Sequence, residues 1–99
     1  MAELLGPQEI EERLGAAPDW QRDGEAIVRD VACEDFAAAI ALVNAVAAIA
    51  QEADHHPDIL VHGWNKVRLS VTNHSAGGLT QADFDLAARI DRLSGVQPR

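Results

Sequence analysis

Three histidines and one aspartate are the side chains of this sequence best suited to proton transfer. His55 and His56 stand side by side before Pro57, and His74 and Asp83 follow later in the chain. Histidine titrates near neutral pH, so an imidazole can both donate and accept a proton there. Two imidazoles flanking one small molecule would suit acid–base elimination, in which one protonates a leaving hydroxyl and the other removes a proton. A carboxylate beside one imidazole would fix its tautomer and stabilise its charged form.

The adjacent histidines lie where a helix is forced to end. Residues 34–54 show a helical pattern, with Glu34 and Asp35 expected in the first turn, where the helix dipole favours acids. Proline disfavours the helical conformation in the residue before it, so the helix must end before Pro57. His55 and His56 therefore occupy a junction between helix and strand. The predicted inward stripe of this helix consists of Phe36, Ile40, Val43 and Ala47, widened by Leu42, Val46 and Ile49.

Two short strands should bring His74 back to this junction. The alternating pattern predicts strands over residues 58–62 and 66–73, with residues 63–65 forming the turn between them. If His62 and Lys66 flank the turn, paired residue numbers sum to about 128, which places residue 74 opposite residue 54. His74 then lies roughly 5–8 Å from the paired histidines at the backbone level. We therefore expect three imidazoles at one end of the sheet, with Asp83 within reach from the next helix.

The remaining elements complete an α+β pattern. The sequence predicts a helix over residues 8–14. It also predicts two strands, over residues 20–22 and 25–31, joined by a tight turn at Asp23-Gly24. Thr80 is expected to cap a last helix that runs to about Leu93. The alternation of helices and strand pairs predicts one domain over residues 1–99, with an antiparallel sheet and helices packed on one face.

Composition excludes several classes of function. The formal net charge is -8, and the eight basic residues are scattered, which opposes a primary role in nucleic-acid binding. The single Cys33 cannot form an internal disulfide. The alanine-rich stretch 36–50 is short for a membrane span and contains Asn44, so we expect a cytoplasmic protein with no membrane contact. Because alanine buries little area, the monomer core should be thin, which favours self-association.

Four sequence blocks together resemble the signature of the pterin-4a-carbinolamine dehydratase family, and the resemblance extends over nearly the whole chain. The blocks are His55-His56-Pro57, Trp64-Asn65-Lys66-Val67, Thr72-Asn73-His74, and Ala76-Gly77-Gly78-Leu79-Thr80 with Asp83. The resemblance implies a four-stranded antiparallel sheet, assembly as a homodimer or homotetramer, and dehydration of 4a-hydroxytetrahydropterin to quinonoid dihydropterin. That reaction recycles the cofactor of aromatic amino-acid hydroxylases. It would need no metal and no other cofactor, because the ring nitrogen of the substrate can expel the hydroxyl.

The same resemblance assigns roles to individual residues. It implies that His55 and His74 form the acid–base pair, that His56 assists binding and that Asp83 supports His74. The implied pterin pocket is lined by His55, His56, Pro57, Asn73, His74 and Ser75. The sequence departs from the family pattern at Gln51, where an acid is common, at Asn73, where threonine is frequent, and in a turn that carries one extra residue.

Other interpretations of these residues stay open. The His-His-Pro junction could be only a helix cap, and Thr80 with Asp83 resembles a capping box, a role that is compatible with catalytic support. A histidine metal site is disfavoured, because adjacent histidines point in different directions and the usual zinc spacings are missing. The alternative function is a non-catalytic dimerisation or assembly module, since relatives of the family act as a dimerisation cofactor or as assembly factors.

Overall fold

A computed structural model of the chain describes residues 3–96 and shows an open antiparallel sheet with three helices. The strand order is β1-β2-β4-β3, and all three pairings are antiparallel. This architecture confirms the predicted α+β fold. The domain predicted over 1–99 extends beyond the described residues at both ends. The elements are α1 (Pro7–Gly15), β1 (Gln21–Asp23), β2 (Ala26–Ala32), α2 (Phe36–Ala53), β3 (Asp58–His62), β4 (Lys66–Val71) and α3 (Gln81–Asp91).

The register of the β3–β4 hairpin is the one that the sequence predicts. His62 pairs with Lys66, and Asp58 pairs with Ser70 at the other end of the ladder. On its other side β4 pairs with β2, where Ile27 lies opposite Val71. The end of β4 is therefore flanked by the starts of both β2 and β3. Segments that precede β3 and follow β4 consequently leave the sheet at the same end.

The sheet buries one face and leaves the other in solvent. Alternate residues of β2 and β4 point towards the helices and are buried, as the two-residue period of a strand requires. The opposite face carries an exposed ion pair in which Arg68 donates to both carboxylate oxygens of Asp30, at 2.8 and 3.0 Å. The buried positions are Ile27, Arg29, Val31, Val67, Leu69 and Val71.

The inward face of α2 differs from the predicted one. Phe36 and Ile40, placed on the inner stripe by the sequence, are 55% and 37% exposed, and Ala47 is also exposed. The helix is apolar nearly all round, so hydrophobic periodicity cannot choose which side meets the sheet. At 18 residues α2 is also long and apolar enough, by length and composition, to cross a membrane. Its buried residues are Ala39, Leu42, Val46 and Ala50.

The start of α2 and the turn of the first hairpin also differ from their predicted positions by one or two residues. Asp35 precedes α2 instead of lying in its first turn, and its Oδ1 accepts the main-chain N–H of Ala38 at 2.7 Å. An aspartate in extended conformation satisfies a free helix N–H best from this position. In the first hairpin Asp23 remains in β1 and pairs with Ala26, so the turn lies at Gly24 and residue 25. Gly24 takes a left-handed φ of 60°, which glycine adopts without strain.

A buried arginine fixes the C-terminal end of α3 to the sheet. Nη1 of Arg29 lies 2.6 Å from Oδ1 of Asp91 and 3.5 Å from Oδ2 of Asp19. Trp20 donates its indole N–H to the same Asp91 oxygen at 2.9 Å. A guanidinium removed from water is stable only with charged partners of this kind. The cluster therefore ties α3, β2 and the segment before β1 together.

The thiol of Cys33, between β2 and α2, should be a slow nucleophile. Burial raises the pKa of the Cys33 thiol, and the negative charge of Asp35 raises it further. A raised thiol pKa leaves less reactive thiolate at a given pH, so alkylation by iodoacetamide at pH 8 should be slower than for a free thiol. Asp35→Asn keeps a capping side chain and removes the charge, and should speed alkylation about twofold. Glu34→Gln is the matched control, and an equal acceleration there would contradict the assignment to Asp35.

Candidate functional site

The paired histidines follow a left-handed residue that ends α2. Asp54 has φ 52° and ψ 43°, and its N–H points back to the last carbonyls of the helix. The N–H of His55 continues this pattern by bonding to the carbonyl of Ala50 at 3.1 Å. These bonds satisfy carbonyls that a helix end would otherwise leave free. The chain then turns through His56 and Pro57 into β3, so the backbone positions of both histidines are fixed by the helix end.

His55 forms a buried pair with Asp83. Its Nε2 lies 2.5 Å from Oδ1 of Asp83, the imidazole is 15% exposed, and the carboxylate is fully buried. The other carboxylate oxygen, Oδ2, accepts the main-chain N–H of Thr80 at 2.7 Å and the Thr80 hydroxyl at 3.2 Å. Asp83 therefore caps α3 with one oxygen and holds an imidazole with the other. The resemblance implied that Asp83 supports His74, but in the structure its imidazole partner is His55.

This pair fixes the tautomer of neutral His55. An ionised carboxylate only accepts hydrogen bonds, so the ring nitrogen facing Asp83 must carry a proton. In neutral imidazole the other nitrogen then has a lone pair and no proton. Nδ1 of His55 is consequently the atom able to accept a proton from a ligand, and Asp83 stabilises the imidazolium that results.

His56 has a different, uncharged partner. Its Nε2 lies 3.0 Å from Oε1 of Gln51, which precedes it by five residues on α2. Both side chains are exposed. The family resemblance implies that an acid is common at position 51, and Gln51 provides a polar contact there without a negative charge. His56 is thus oriented by an amide, whereas its neighbour is oriented by a carboxylate.

His74 lies in a tight loop between β4 and α3. The carbonyl of Asn73 accepts the N–H groups of Gly77 and Gly78 at 2.9 and 3.2 Å, and its side-chain Oδ1 accepts that of Ala76 at 3.0 Å. Gly77 adopts φ 81°, a conformation that a side chain would strain. The predicted strand 66–73 ends instead at Val71, because the chain closes into this loop. The loop presents His74 to solvent at the end of the sheet.

A recess of ≈ 190 Å³ lies beside His74. Its far wall comes from the β1–β2 hairpin, because β2 is the neighbour of β4 in the sheet. The hairpin contributes the acidic residues Asp23 and Glu25, which sequence analysis did not select. Only the β2–β4 register could have revealed them, and that pairing joins strands far apart in the sequence. The lining residues are Asp23, Glu25, Ala26, Thr72, Asn73, His74, Gly77 and Gly78.

The predicted site residues fall into three groups at the same end of the sheet. His55 contacts Asp83, His56 contacts Gln51, and His74 shares its recess with Asn73. The remaining two predicted pocket residues differ in burial, since Pro57 is partly buried, as His55 is, whereas Ser75 is exposed in the loop after β4. Within residues 3–96 no group of three or more histidine, cysteine or acidic side chains is arranged to hold a metal ion.

Comparison with known proteins places this chain in a defined class, small α+β proteins of the pterin dehydratase type. Residues 3–93 match the family profile described as Pterin 4 alpha carbinolamine dehydratase. A protein of Roseiflexus sp. strain RS-1, named as a pterin-4-alpha-carbinolamine dehydratase, is 52% identical over 94% of this chain and 99% of its own length. A protein of Nocardia farcinica with the same name is 50% identical over 93% of this chain and 96% of its own.

Two solved structures share the fold. A transcriptional coactivator/pterin dehydratase from Brucella melitensis superposes with a TM-score of 0.82 at 31% identity, over 88% of this chain and 94% of that one. A pterin dehydratase-like protein identified as a RuBisCO assembly factor in the alpha-carboxysome gives a TM-score of 0.61 at 26% identity, over 79% of this chain and 89% of that one. The chain belongs to the pterin-4-alpha-carbinolamine dehydratase family.

Replacing Asp83 by asparagine should reverse the tautomer of His55. Thr80 donates two hydrogen bonds to Oδ2, so the single oxygen of the new amide should take that place and leave its NH₂ group facing the imidazole. Nε2 would then have to accept, which moves the ring proton to Nδ1. ¹⁵N NMR of the histidine rings above pH 8 should show Nε2–H in the wild type and Nδ1–H in Asp83→Asn.

The control for this experiment is Asp85→Asn, an exposed acid on the same helix that accepts a hydrogen bond from Gln81. It should leave the His55 signals unchanged. Retention of Nε2–H in Asp83→Asn would contradict the tautomer assignment.

Proposed function

We propose that this protein dehydrates 4a-hydroxytetrahydropterin to quinonoid dihydropterin by histidine acid–base catalysis. The proposal rests on one observation above all, the contact between His55 and a fully buried Asp83 at the sheet end that also carries His74. Such a pair supplies a base of defined tautomer, and an exposed histidine supplies a donor. Membership of the family provides the substrate class.

The reaction removes a hydroxyl from C4a and a proton from N5 of the pterin. In the proposed mechanism, His74 in its protonated form donates a proton to the hydroxyl, which leaves as water while the N5 lone pair forms the C4a=N5 bond. Nδ1 of His55 then takes the proton from N5, and Asp83 stabilises the resulting imidazolium. One proton is given and one is taken, so the two histidines exchange protonation states. Proton transfer through water returns them to their starting forms.

The other predicted residues bind the substrate. His56, Pro57, Asn73 and Ser75 border the two histidines in sequence and would line the pterin pocket. The proposal includes no metal and no redox cofactor. It describes a cytoplasmic enzyme acting on a small molecule, with no role for nucleic acid or membrane. The formal net charge of -8 supports that exclusion of nucleic acid.

Stopped-flow absorbance with synthetic 4a-hydroxytetrahydropterin tests this activity. The wild type should accelerate dehydration well beyond buffer. His55→Ala and His74→Ala should each lose on the order of 100-fold in rate, the usual contribution of a positioned acid or base. His62→Ala is the matched control, because His62 is an exposed histidine at the opposite end of β3.

Two outcomes would refute the enzyme proposal. A wild-type rate equal to that of buffer would remove the activity itself, and an equal loss in His62→Ala would show that the effect is not specific to the site. Metal analysis of the purified protein provides an independent check. Stoichiometric zinc would contradict the metal-free mechanism.

A binding or assembly role is the second candidate. It is favoured by two solved relatives, a transcriptional coactivator/pterin dehydratase and a pterin dehydratase-like RuBisCO assembly factor. Such a role would use outer surfaces and would not need His55 or His74. A variant that still dehydrates the pterin but no longer binds a protein partner, or a variant with the opposite behaviour, would distinguish the two functions.

We also propose that copies of the chain associate through the outer face of α2. This face is apolar and exposed, with Phe36 at its start and Ile40 one turn later. Exposed apolar area of this kind on a long helix is typically covered by a partner. A second copy suits it, because alanines at positions 37, 41 and 48 allow two helices to approach closely. A homodimer or homotetramer would supply burial that the small monomer core lacks.

Light scattering coupled to size-exclusion chromatography tests this assembly. The wild type should elute as a dimer or tetramer, and Ile40→Glu should shift it towards monomer because a charge cannot be buried unpaired in an apolar contact. Leu60→Glu, at an exposed apolar position on β3, is the control and should not change the mass. A monomeric wild type would refute the proposal, as would binding of the wild type to neutral lipid vesicles through this face.

A further inference from the structure

Thr80 contacts the His55–Asp83 pair from the side opposite the imidazole. Its side chain is buried, and its hydroxyl lies 3.2 Å from Oδ2 of Asp83. The main-chain N–H of the same residue bonds to the same oxygen at 2.7 Å. One carboxylate oxygen thus receives two donors from a single residue, while the other oxygen faces the imidazole.

The main-chain N–H alone would be enough to cap α3. The carboxylate of the third helical residue accepting the N–H of the cap residue is one half of a capping box, and it does not involve the hydroxyl. The hydroxyl bond is therefore additional to the cap. Its effect falls on the carboxylate, because a donor at Oδ2 draws negative charge away from Oδ1, where the imidazole is bound.

The backbone of Thr80 is held independently of its side chain. Leu4 pairs with Thr80 in an isolated antiparallel bridge, and the N–H of Leu5 bonds to the carbonyl of Leu79 at 2.9 Å. The N-terminal segment thus fixes the chain on which Thr80 lies. Removing only the hydroxyl should leave the backbone, the helix cap and the position of Asp83 in place.

We propose that Thr80 is a positioning residue that adjusts the proton affinity of His55 through Asp83. The inference rests on the proposed dehydratase function for its kinetic consequence, but the contact itself does not. When the Thr80 hydroxyl is present, the negative charge of the Asp83 carboxylate is shared between donors on both of its sides. When the hydroxyl is removed, more of that charge faces His55 and stabilises its imidazolium form. The neutral ring, which is the base, is then available only at higher pH.

Thr80→Val removes the hydroxyl at nearly constant volume and is the central test. The acidic limb of the kcat/KM pH profile should move up by about half a pH unit, which is an approximately threefold loss of rate below the midpoint. KM should stay unchanged, because Thr80 does not border the proposed pterin pocket. Thr80→Ser restores a hydroxyl and should restore the wild-type profile.

Asp35→Ala is the control for a purely structural effect. It removes the cap of α2, about 27 Å of helix away from the site, and should lower stability without moving the pH profile. A shift in Asp35→Ala equal to that in Thr80→Val, or failure of Thr80→Ser to restore the profile, would overturn the proposal.

A ligand-free measurement separates this inference from the proposed function. The pH titration of the His55 ring by ¹⁵N NMR should move upward in Thr80→Val and not in Thr80→Ser or Asp35→Ala. An unchanged titration in Thr80→Val would overturn the role of Thr80 even in an active enzyme. Absence of dehydration by the wild type would instead overturn the proposed function, while the NMR shift would still support the coupling.

Discussion

A single buried carboxylate determines how this protein brings distant parts of its chain together. Asp83 is fully removed from water, and an anion in that position is stable only when donors surround it. Two of its donors come from Thr80 at the start of α3, and the third comes from His55 at the end of α2. The dipole of α3 adds a favourable field at the same point. These donors join the end of α2 to the start of α3, so the two helix ends are held in one arrangement.

Contacts elsewhere in the fold hold α2 and α3 in that arrangement. The far end of α3 is anchored by the ion pair of Arg29 with Asp91, which prevents the helix from sliding along the sheet. The end of α2 is determined by the left-handed Asp54 and by Pro57, which direct the chain into β3. Since β3 pairs with β4 in a fixed register, the loop with His74 leaves the sheet at the same end. Secondary structure thus determines which groups can meet, and the buried carboxylate selects His55.

The sequence predicts those features that depend on neighbouring residues. The β3–β4 register follows from the alternating pattern and the short turn, and His62 does pair with Lys66. The inner face of α2 could not be predicted, because apolar residues surround the helix and only its packing on the sheet distinguishes Leu42 from Ile40. The partner of Asp83 could not be predicted either, since backbone register does not determine how α3 is rotated about its own axis. The acids of the first hairpin depend on β2 pairing with β4, strands that α2 and β3 separate along the chain, and such a contact has no local signal.

The two adjacent histidines lie in different environments. His55 is enclosed and faces a carboxylate, whereas His56 lies at an exposed contact and faces the amide of Gln51. A carboxylate favours the protonated ring, while an amide orients the ring without favouring either charge state. An acid at position 51 would give both rings the same electrostatic bias. Glutamine there leaves His55 as the one ring of the pair that faces a carboxylate.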